Sequence, residues 1–206
     1  QYLPDGRTRF LLSTSEEGGE KLEIELPLPG YANIYNALTA AAISAVFDIS
    51  PALIKEGLES FKPSPMRMEV ISLKKIRIIN DSYNANPESM KMALGLFRHL
   101  QVKGRKVAVL GDMLELGEAS EPAHREIGRM AASCSPDILF AVGRLSRFLA
   151  EEAEKDGLKG KILTFRDSRE AGKRLAEIVK EGDTVLIKGS RAMQMEEVVH
   201  VLLSLS

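Results

Sequence analysis

Hydrophobic and polar residues follow two different periods in the first 60 residues. Residues 8–13 and 21–26 read as strands on either side of a turn at residues 16–19. Residues 33–47 are rich in Ala and carry apolar residues at helical spacing. Ser50 followed by Pro51 is typical of a helix start, which predicts a second helix.

Prolines at positions 63 and 65 then interrupt every pattern, because proline lacks a backbone donor and disfavours helix in the residue before it. We therefore predict a domain boundary here, with residues 1–64 in one domain and residues 65–206 in another. Residues 62–66 are also a candidate hinge between the two.

From residue 68 onward, short apolar runs alternate with longer amphipathic runs. The predicted strands are 68–71, 76–79, 107–110, 138–142, 162–165 and 184–187. The predicted helices are 88–100, 121–132, 146–156, 168–181 and 193–203. This alternation predicts an α/β fold, a Rossmann-like and mostly parallel sheet with helices on both faces. Residues 1–64 are predicted to add a smaller α+β part.

Composition and charge exclude several classes of protein. The 206 residues are 44% hydrophobic, and 28 basic and 29 acidic residues are mixed along the chain, giving a net charge of -1. The sequence lacks the basic stripe of a nucleic-acid binder and an apolar run long enough to span a membrane. A single cysteine, Cys134, excludes an internal disulfide and is expected to be a small buried apolar residue. We expect a cytoplasmic monomer, and we interpret the start at Gln1 as a cut within a longer protein.

Polar segments follow three of the predicted strands. They are residues 80–87 (Asn-Asp-Ser-Tyr-Asn-Ala-Asn-Pro), 111–118 (Gly-Asp-Met-Leu-Glu-Leu-Gly-Glu) and 188–191 (Lys-Gly-Ser-Arg). Parallel strands bring such segments to one edge of the sheet, where open α/β sheets bind ligands. The dinucleotide fingerprint and the Gly-x-x-x-x-Gly-Lys-[Ser/Thr] phosphate-binding loop are both absent. Carboxylates together with Lys188 and Arg191 suit a zwitterion such as a small peptide, which offers an ammonium and a carboxylate.

Three motifs, in this order, resemble those of the Mur ligases. They are Asp-Ser-Tyr-Asn-Ala-Asn-Pro-Glu-Ser-Met at 81–90, Leu-Gly-Asp-Met-Leu-Glu-Leu-Gly-Glu at 110–118, and Lys-Gly-Ser-Arg-Ala-Met at 188–193. The resemblance covers nearly the whole chain: residues before about Pro63 are similar to the last part of the family's central ATP-binding domain, and the rest to its C-terminal domain. It implies an ATP-dependent ligase that acts through an acyl phosphate. The implied branch adds D-alanyl-D-alanine to UDP-N-acetylmuramoyl-tripeptide in bacterial peptidoglycan synthesis.

The resemblance also implies roles for individual residues. Those expected to contact ATP are Asn33 and Asn36 at the adenine base, Arg67 at the phosphates, Asp81 at the ribose, and Tyr83 beside it. The family's histidine in the adenine element falls at Ala32, so any contact made by that imidazole is missing. Those expected to hold the peptide substrates are Asn84, Asn86, Asp112, Glu115, Lys188 and Ser190, with His124 in support.

No metal ligand and no confident catalytic residue is predicted within these 206 residues. In members of the family, the phosphate-binding loop and the Mg²⁺ ligands lie N-terminal to the part that this chain resembles. We therefore expect the chain alone to be inactive.

Simpler roles remain open for several of these residues. Asn33 would cap its helix, Asp81 would close a turn, and Arg67 and Glu115 would be solvated surface charges. His124, inside a predicted helix, would be an ordinary structural histidine.

Two other functions also remain open. One is a stand-alone nucleotide- or peptide-binding module. The other is a Mur-type ligase that adds diaminopimelate or lysine. The Asp-Asn-Pro-Arg element typical of the diaminopimelate-adding branch is absent.

Overall fold

The structure, a computed structural model, describes residues 1, 3, 7–13, 21–73 and 76–204. The chain forms two compact units, Gln1–Ser64 and Pro65–Ser206. The predicted turn at residues 16–19 lies outside the described residues.

The first unit combines an antiparallel strand pair with two helices. Strands β1 (Thr8–Ser13) and β2 (Lys21–Leu26) are followed by helices α1 (Tyr31–Val46) and α2 (Pro51–Glu59). The predicted start of α2 is confirmed, because the Ser50 hydroxyl accepts a hydrogen bond from the Leu53 N–H at 3.4 Å. Among the described residues of this unit, the buried apolar core is small, with Ile24, Leu26, Ala37, Ala41 and Ile54.

Helices α1 and α2 leave large apolar side chains on the surface. Tyr31, Tyr35, Val46, Phe47 and Leu53 are each more than half exposed. An apolar surface of this kind is uncommon on an isolated soluble domain and is typical of a face that packs against other protein.

The second unit is built on a six-stranded sheet. Its strands are β3 (Glu69–Leu73), β4 (Ile76–Asp81), β5 (Lys106–Gly111), β6 (Ile138–Val142), β7 (Lys161–Phe165) and β8 (Thr184–Lys188). They lie in the order β3-β4-β8-β5-β6-β7, and all neighbours are parallel except the edge pair β3 and β4. The last strand, β8, therefore lies between β4 and β5.

Helices pack on both faces of this sheet. They are α3 (Pro87–His99), α4 (Ser120–Cys134), α5 (Ser146–Lys155), α6 (Ser168–Ile178) and α7 (Glu196–Leu203). One face of the sheet, including Val107 and Val109, shares a buried core with α6 and α7. The alternating residues Ala108 and Leu110 are equally buried on the opposite face, where α3, α4 and α5 pack side by side. The prediction of a mostly parallel sheet with helices on both faces is confirmed.

Two predicted helices are three residues longer than those observed. The helix predicted at 193–203 starts only at Glu196, after a 3₁₀ turn (Arg191–Met193), because Gln194 takes a left-handed conformation with φ 50°. The helix predicted at 168–181 ends at Ile178, because Val179 is extended. Among the described residues, no helix is both long and apolar enough to cross a bilayer.

Candidate functional site

The carboxyl ends of β4, β8 and β5 are aligned with one another by the register of the sheet. Lys188 at the end of β8 pairs with Asp81 of β4 on one side and with Leu110 of β5 on the other. Because β8 lies between β4 and β5, the loops that follow all three strands meet. The three polar segments predicted to share one edge therefore do so, and we call this edge, residues 81–86, 111–116 and 188–191, the rim.

A buried ion pair links two of the rim loops. The Lys188 ammonium donates to Asp81 Oδ2 at 2.6 Å and to the Asn84 carbonyl at 3.0 Å, and its side chain is only 3% exposed. Asp81 Oδ1 accepts from the Met68 N–H at 3.0 Å. Burial raises the pKa of the Asp81 carboxyl above its ordinary value, while the Lys188 ammonium acts to lower it. Asp81 thus does more than close a turn, and Lys188 is committed to organising the rim.

Ser190 joins all three rim loops. Its hydroxyl accepts from the Leu114 N–H at 2.8 Å and donates to the Ala85 carbonyl at 3.2 Å. Its own N–H donates to the Asp112 carbonyl at 3.0 Å. The side chain is buried, so its hydroxyl serves the rim itself.

Arg67 lies on the surface beside the rim. Its guanidinium stacks over the ring of Tyr83, with 4.0 Å between the guanidinium carbon and the ring centroid. Both side chains are exposed. A planar cation and an aromatic ring, two of the predicted nucleotide contacts, are therefore presented together next to Asp81.

The two asparagines of the rim make bonds within the unit. Asn84 Oδ1 accepts from the Ala85 N–H at 2.8 Å and from the Arg191 N–H at 3.4 Å. Asn86 is the N-cap of α3, and its Oδ1 accepts from the Ser89 N–H at 2.8 Å in a capping box. Both side chains remain exposed, so the structural role does not remove them from solvent.

Asp112 is turned away from solvent and towards α5. Its carboxylate accepts from the N–H groups of Leu145 and Ser146 and from the Ser146 hydroxyl, at 2.6 to 3.1 Å, and the residue is 4% exposed. It therefore caps α5 from the loop that follows β5, and the helix dipole favours the charge. Gly143 makes this approach possible, because a Cβ built there would lie 2.5 Å from the carboxylate, and its φ of 111° favours glycine.

His124 is fully buried and has a structural role. Its Nε2 accepts from the Met113 N–H at 3.0 Å, so that nitrogen carries no proton and Nδ1 donates to the Ser120 carbonyl at 2.7 Å. The imidazole fixes the loop after β5 onto α4. The simpler interpretation of this residue, an ordinary structural histidine, describes its geometry.

The other predicted residues lie apart from these contacts. Glu115 is exposed, with a φ of 63°, and its carboxylate bonds to none of the described residues. Asn33 and Asn36 belong to the first unit, where Asn36 Nδ2 donates to Asn33 Oδ1 at 3.4 Å. Asn33 Nδ2 donates to the Pro29 carbonyl at 2.7 Å, so Asn33 does not cap α1. The two amides share one face at the start of that helix, as their spacing predicts.

Glu196 is a rim contact that sequence reasoning missed. It holds the guanidinium of Arg191 at 2.7 Å, and the Arg191 side chain remains half exposed. Arg191 is therefore the accessible cation of the rim, whereas Lys188 is not. The sequence carried a weak signal for this pair, an acidic residue at the predicted start of the last helix.

A mostly parallel sheet whose carboxyl edge gathers polar loops from β4, β5 and β8 defines the second unit as an α/β domain of the open-sheet type, in which that edge is the usual place for a ligand. A family model described as "Mur ligase, glutamate ligase domain" matches residues 66–191. The chain belongs to the Mur ligase family, as the three motifs indicated.

Individual relatives share one name. The UDP-N-acetylmuramoyl-tripeptide–D-alanyl-D-alanine ligase of Bacillus subtilis (strain 168) is 38% identical over 199 residues, which cover 93% of this chain and 44% of that protein. The ligase of the same name from Escherichia coli (strain K12) is 36% identical, covering 95% of this chain and 41% of that protein. The chain thus spans less than half the length of these relatives.

Solved structures agree with this. A crystal structure of MurF from Acinetobacter baumannii has a TM-score of 0.85 and 30% identity, over 99% of this chain and 43% of that one. The MurF ligase from Thermotoga maritima, solved in complex with ADP, has a TM-score of 0.79 and 26% identity, over 97% of this chain and 44% of that one.

Proposed function

We propose that this chain is part of an ATP-dependent ligase that joins D-alanyl-D-alanine to UDP-N-acetylmuramoyl-tripeptide. The relatives of that name support this substrate pair. The structural observation that carries the proposal is the rim itself, where Lys188 and Ser190 tie the three family motifs together at the carboxyl edge of one sheet.

Each unit, taken by itself, offers side chains suited to a nucleotide. Asn33 and Asn36 offer a donor and an acceptor to the adenine edge. Asp81 accepts two bonds in the structure, and a carboxylate has about four acceptor positions, so ribose hydroxyls can still bind there. Arg67 presents a guanidinium fork suited to phosphate oxygens, with Tyr83 beneath it.

The peptide side would use the exposed charges of the rim. The Arg191 guanidinium would bind the dipeptide carboxylate, and the Glu115 carboxylate would attract its ammonium. Asn84 and Asn86 keep exposed amides for the peptide backbone. Lys188, Ser190, Asp112 and His124 would act on the substrates only by holding the rim loops in place, because their polar groups are buried and bonded within the unit.

The chemistry implied is phosphorylation of the tripeptide carboxylate by ATP, followed by attack of the dipeptide amine on the acyl phosphate. The contribution of these residues is to position the reactants and to neutralise charge. Among the described residues, no three His, Cys, Asp or Glu side chains gather as a metal site, so we assign Mg²⁺ no ligand here.

We further propose that activity requires a longer polypeptide. The chain spans 44% of the Bacillus subtilis relative, and the first unit exposes the large apolar side chains of α1 and α2. That face would pack against the remainder of an ATP-binding domain. Because its substrates would be ATP and a nucleotide-linked peptide, we propose that the enzyme acts in the bacterial cytoplasm. We also propose that it is a monomer, which light scattering during gel filtration would check.

The test is a coupled assay of phosphate release by the protein expressed from its natural gene. Phosphate release should require ATP, UDP-N-acetylmuramoyl-tripeptide and D-alanyl-D-alanine together. Release supported instead by glutamate, lysine or diaminopimelate on a shorter acceptor would place the protein in another branch of the family. The 206-residue chain, assayed in parallel, should release none, and turnover by it would contradict the proposal of a longer active polypeptide.

A further inference from the structure

The turn that carries Arg67 has an unusual backbone. Met66 and Met68, on either side of the arginine, have φ values of 61° and 50°. Left-handed backbone is unfavourable for residues with a Cβ, and long side chains such as methionine rarely adopt it. Two such residues around one arginine persist only where neighbouring groups hold them.

Two carboxylates hold this turn from the adjacent strands. Glu69 Oε2 accepts from the Met66 N–H at 3.0 Å, and Asp81 Oδ1 accepts from the Met68 N–H at 3.0 Å. The same Glu69 oxygen accepts from Asn80 Nδ2 at 2.9 Å. Each left-handed residue therefore has its N–H bound by a carboxylate.

Asn80 fixes Glu69 in turn. It is 3% exposed, and its Oδ1 accepts from the Ser82 hydroxyl at 2.6 Å. The side-chain series Glu69, Asn80, Ser82 thus runs from the surface turn into the buried end of β4. A carboxylate anchored in this way can hold a strained turn without moving.

The turn is also bonded to the residue on which Arg67 stacks. The Tyr83 N–H donates to the Met66 carbonyl at 3.1 Å, which holds the backbone of Tyr83 beside the turn. With both ends of the turn and the backbone of Tyr83 held, the Arg67 guanidinium carbon lies 4.0 Å from the ring centroid. Without such restraints, an arginine side chain on the surface would sample many rotamers.

We propose that Glu69 is a positioning residue for Arg67: its carboxylate holds Met66 in the left-handed conformation and so places the guanidinium over Tyr83. The benefit to ATP binding rests on the proposed function. The placement of the guanidinium does not, and can be measured separately.

The placement is tested by NMR of the 206-residue chain. The δ-methylene protons of Arg67 should show an upfield ring-current shift, with Tyr83→Leu giving the unshifted reference. Glu69→Ala should lose most of this shift. Glu69→Gln should keep it, because the amide oxygen can still accept from the Met66 N–H. Ser72→Ala, a change at an exposed position of the same strand, is the matched control and should leave the shift unchanged.

The consequence for function is tested by kinetics of the protein from its natural gene. Glu69→Ala should raise the KM for ATP about tenfold, the ratio expected for loss of one hydrogen bond to a charged group, with a smaller change in kcat. In the Arg67→Ala background the same substitution should have little further effect, because Glu69 acts through Arg67. If Glu69→Ala does not fold, Glu69→Asp withdraws the same carboxylate by one methylene and gives the same comparison.

The outcomes separate this inference from the proposed function. An unchanged Arg67 shift in Glu69→Ala, or additive effects of the two substitutions on KM, would overturn the positioning role. If Glu69→Ala loses the shift and neither Glu69→Ala nor Arg67→Ala changes the KM for ATP, the positioning role would be supported. The contact between Arg67 and ATP would then be refuted.

Discussion

Replacing Lys188 with methionine tests whether the buried ion pair organises the rim. Methionine has a similar length and no charge, so the substitution removes the ammonium with little change in volume. Asp81 then loses its 2.6 Å partner, and the Asn84 carbonyl loses a charged donor. The Asp81 carboxylate is left mostly buried, with a side-chain exposure of 14%.

The expected loss in the free energy of unfolding follows from this burial. Removing one partner of a buried ion pair costs about 3–5 kcal/mol, because the other charge remains without compensation. Asp81 keeps some contact with water and one backbone N–H, so we expect the lower end, about 3 kcal/mol. The double variant Lys188→Met, Asp81→Asn should recover about 2 kcal/mol of this loss, since no bare carboxylate remains.

The effect should also depend on pH. A raised pKa of Asp81 means that the folded state holds its proton more tightly than the unfolded state. This term favours folding fully below the ordinary value of about 3.9 and is lost as the pH rises through the raised pKa. Without the Lys188 ammonium that pKa rises further. The deficit of Lys188→Met relative to the wild type should therefore be smaller at about pH 5 than at about pH 8.

Amide hydrogen exchange of β8 is the appropriate measurement. This strand lies between β4 and β5, so its slowest amides report the global opening of the second unit independently of the first. A loss below about 1 kcal/mol, or a coupling energy near zero in the four-variant cycle, would show that the pair is not a structural anchor of the rim.

Three further predictions concern stability of the second unit. Asp183 is 1% exposed, and although burial acts to raise its pKa, the bonds from Arg105 lower the pKa overall. Its contribution to the free energy of unfolding is therefore present above the ordinary pKa of the carboxyl and is lost as the pH falls through the lowered pKa. Asp183→Asn should remove this acid-dependent loss of stability in denaturant titrations. Asp112→Asn should lower the free energy of unfolding by about 2 kcal/mol, because the side-chain NH₂ would face N–H groups at the start of α5 that now bond to the carboxylate. Thermal unfolding would measure this, and an unchanged stability would disprove the capping role. Ser135→Gly should stabilise by about 1 kcal/mol, because Ser135 ends α4 with a φ of 48° that glycine adopts freely, and a destabilised variant would contradict this.

The edge of the sheet that carries the site could be predicted, because it depends only on the strands being parallel. Parallel strands all present their carboxyl ends at one edge, so three polar segments that follow three strands share that edge. That the three loops also touch depends on the strand order, in which β8 lies between β4 and β5. The elements themselves follow from local periodicity. The errors lie at helix ends, such as Gln194, where one left-handed residue delays the start of α7.

The roles of individual side chains could be predicted much less well. The sequence placed Lys188, Ser190 and Asp112 among the substrate contacts, whereas in the structure their polar groups bond within the unit. Asp112 caps α5 from the loop that follows β5. Glu69, which sequence analysis did not single out, accepts from the Met66 N–H in the Arg67 turn.

The sequence by itself therefore determined the family, the alternation of strands and helices, and the edge of the sheet at which the polar segments meet. Only the tertiary structure decided which of those side chains remain accessible. The physical reason is that a side chain's partner depends on contacts between distant strands: Lys188 meets Asp81 across 107 residues of sequence, and that contact leaves Arg191 as the exposed cation of the rim.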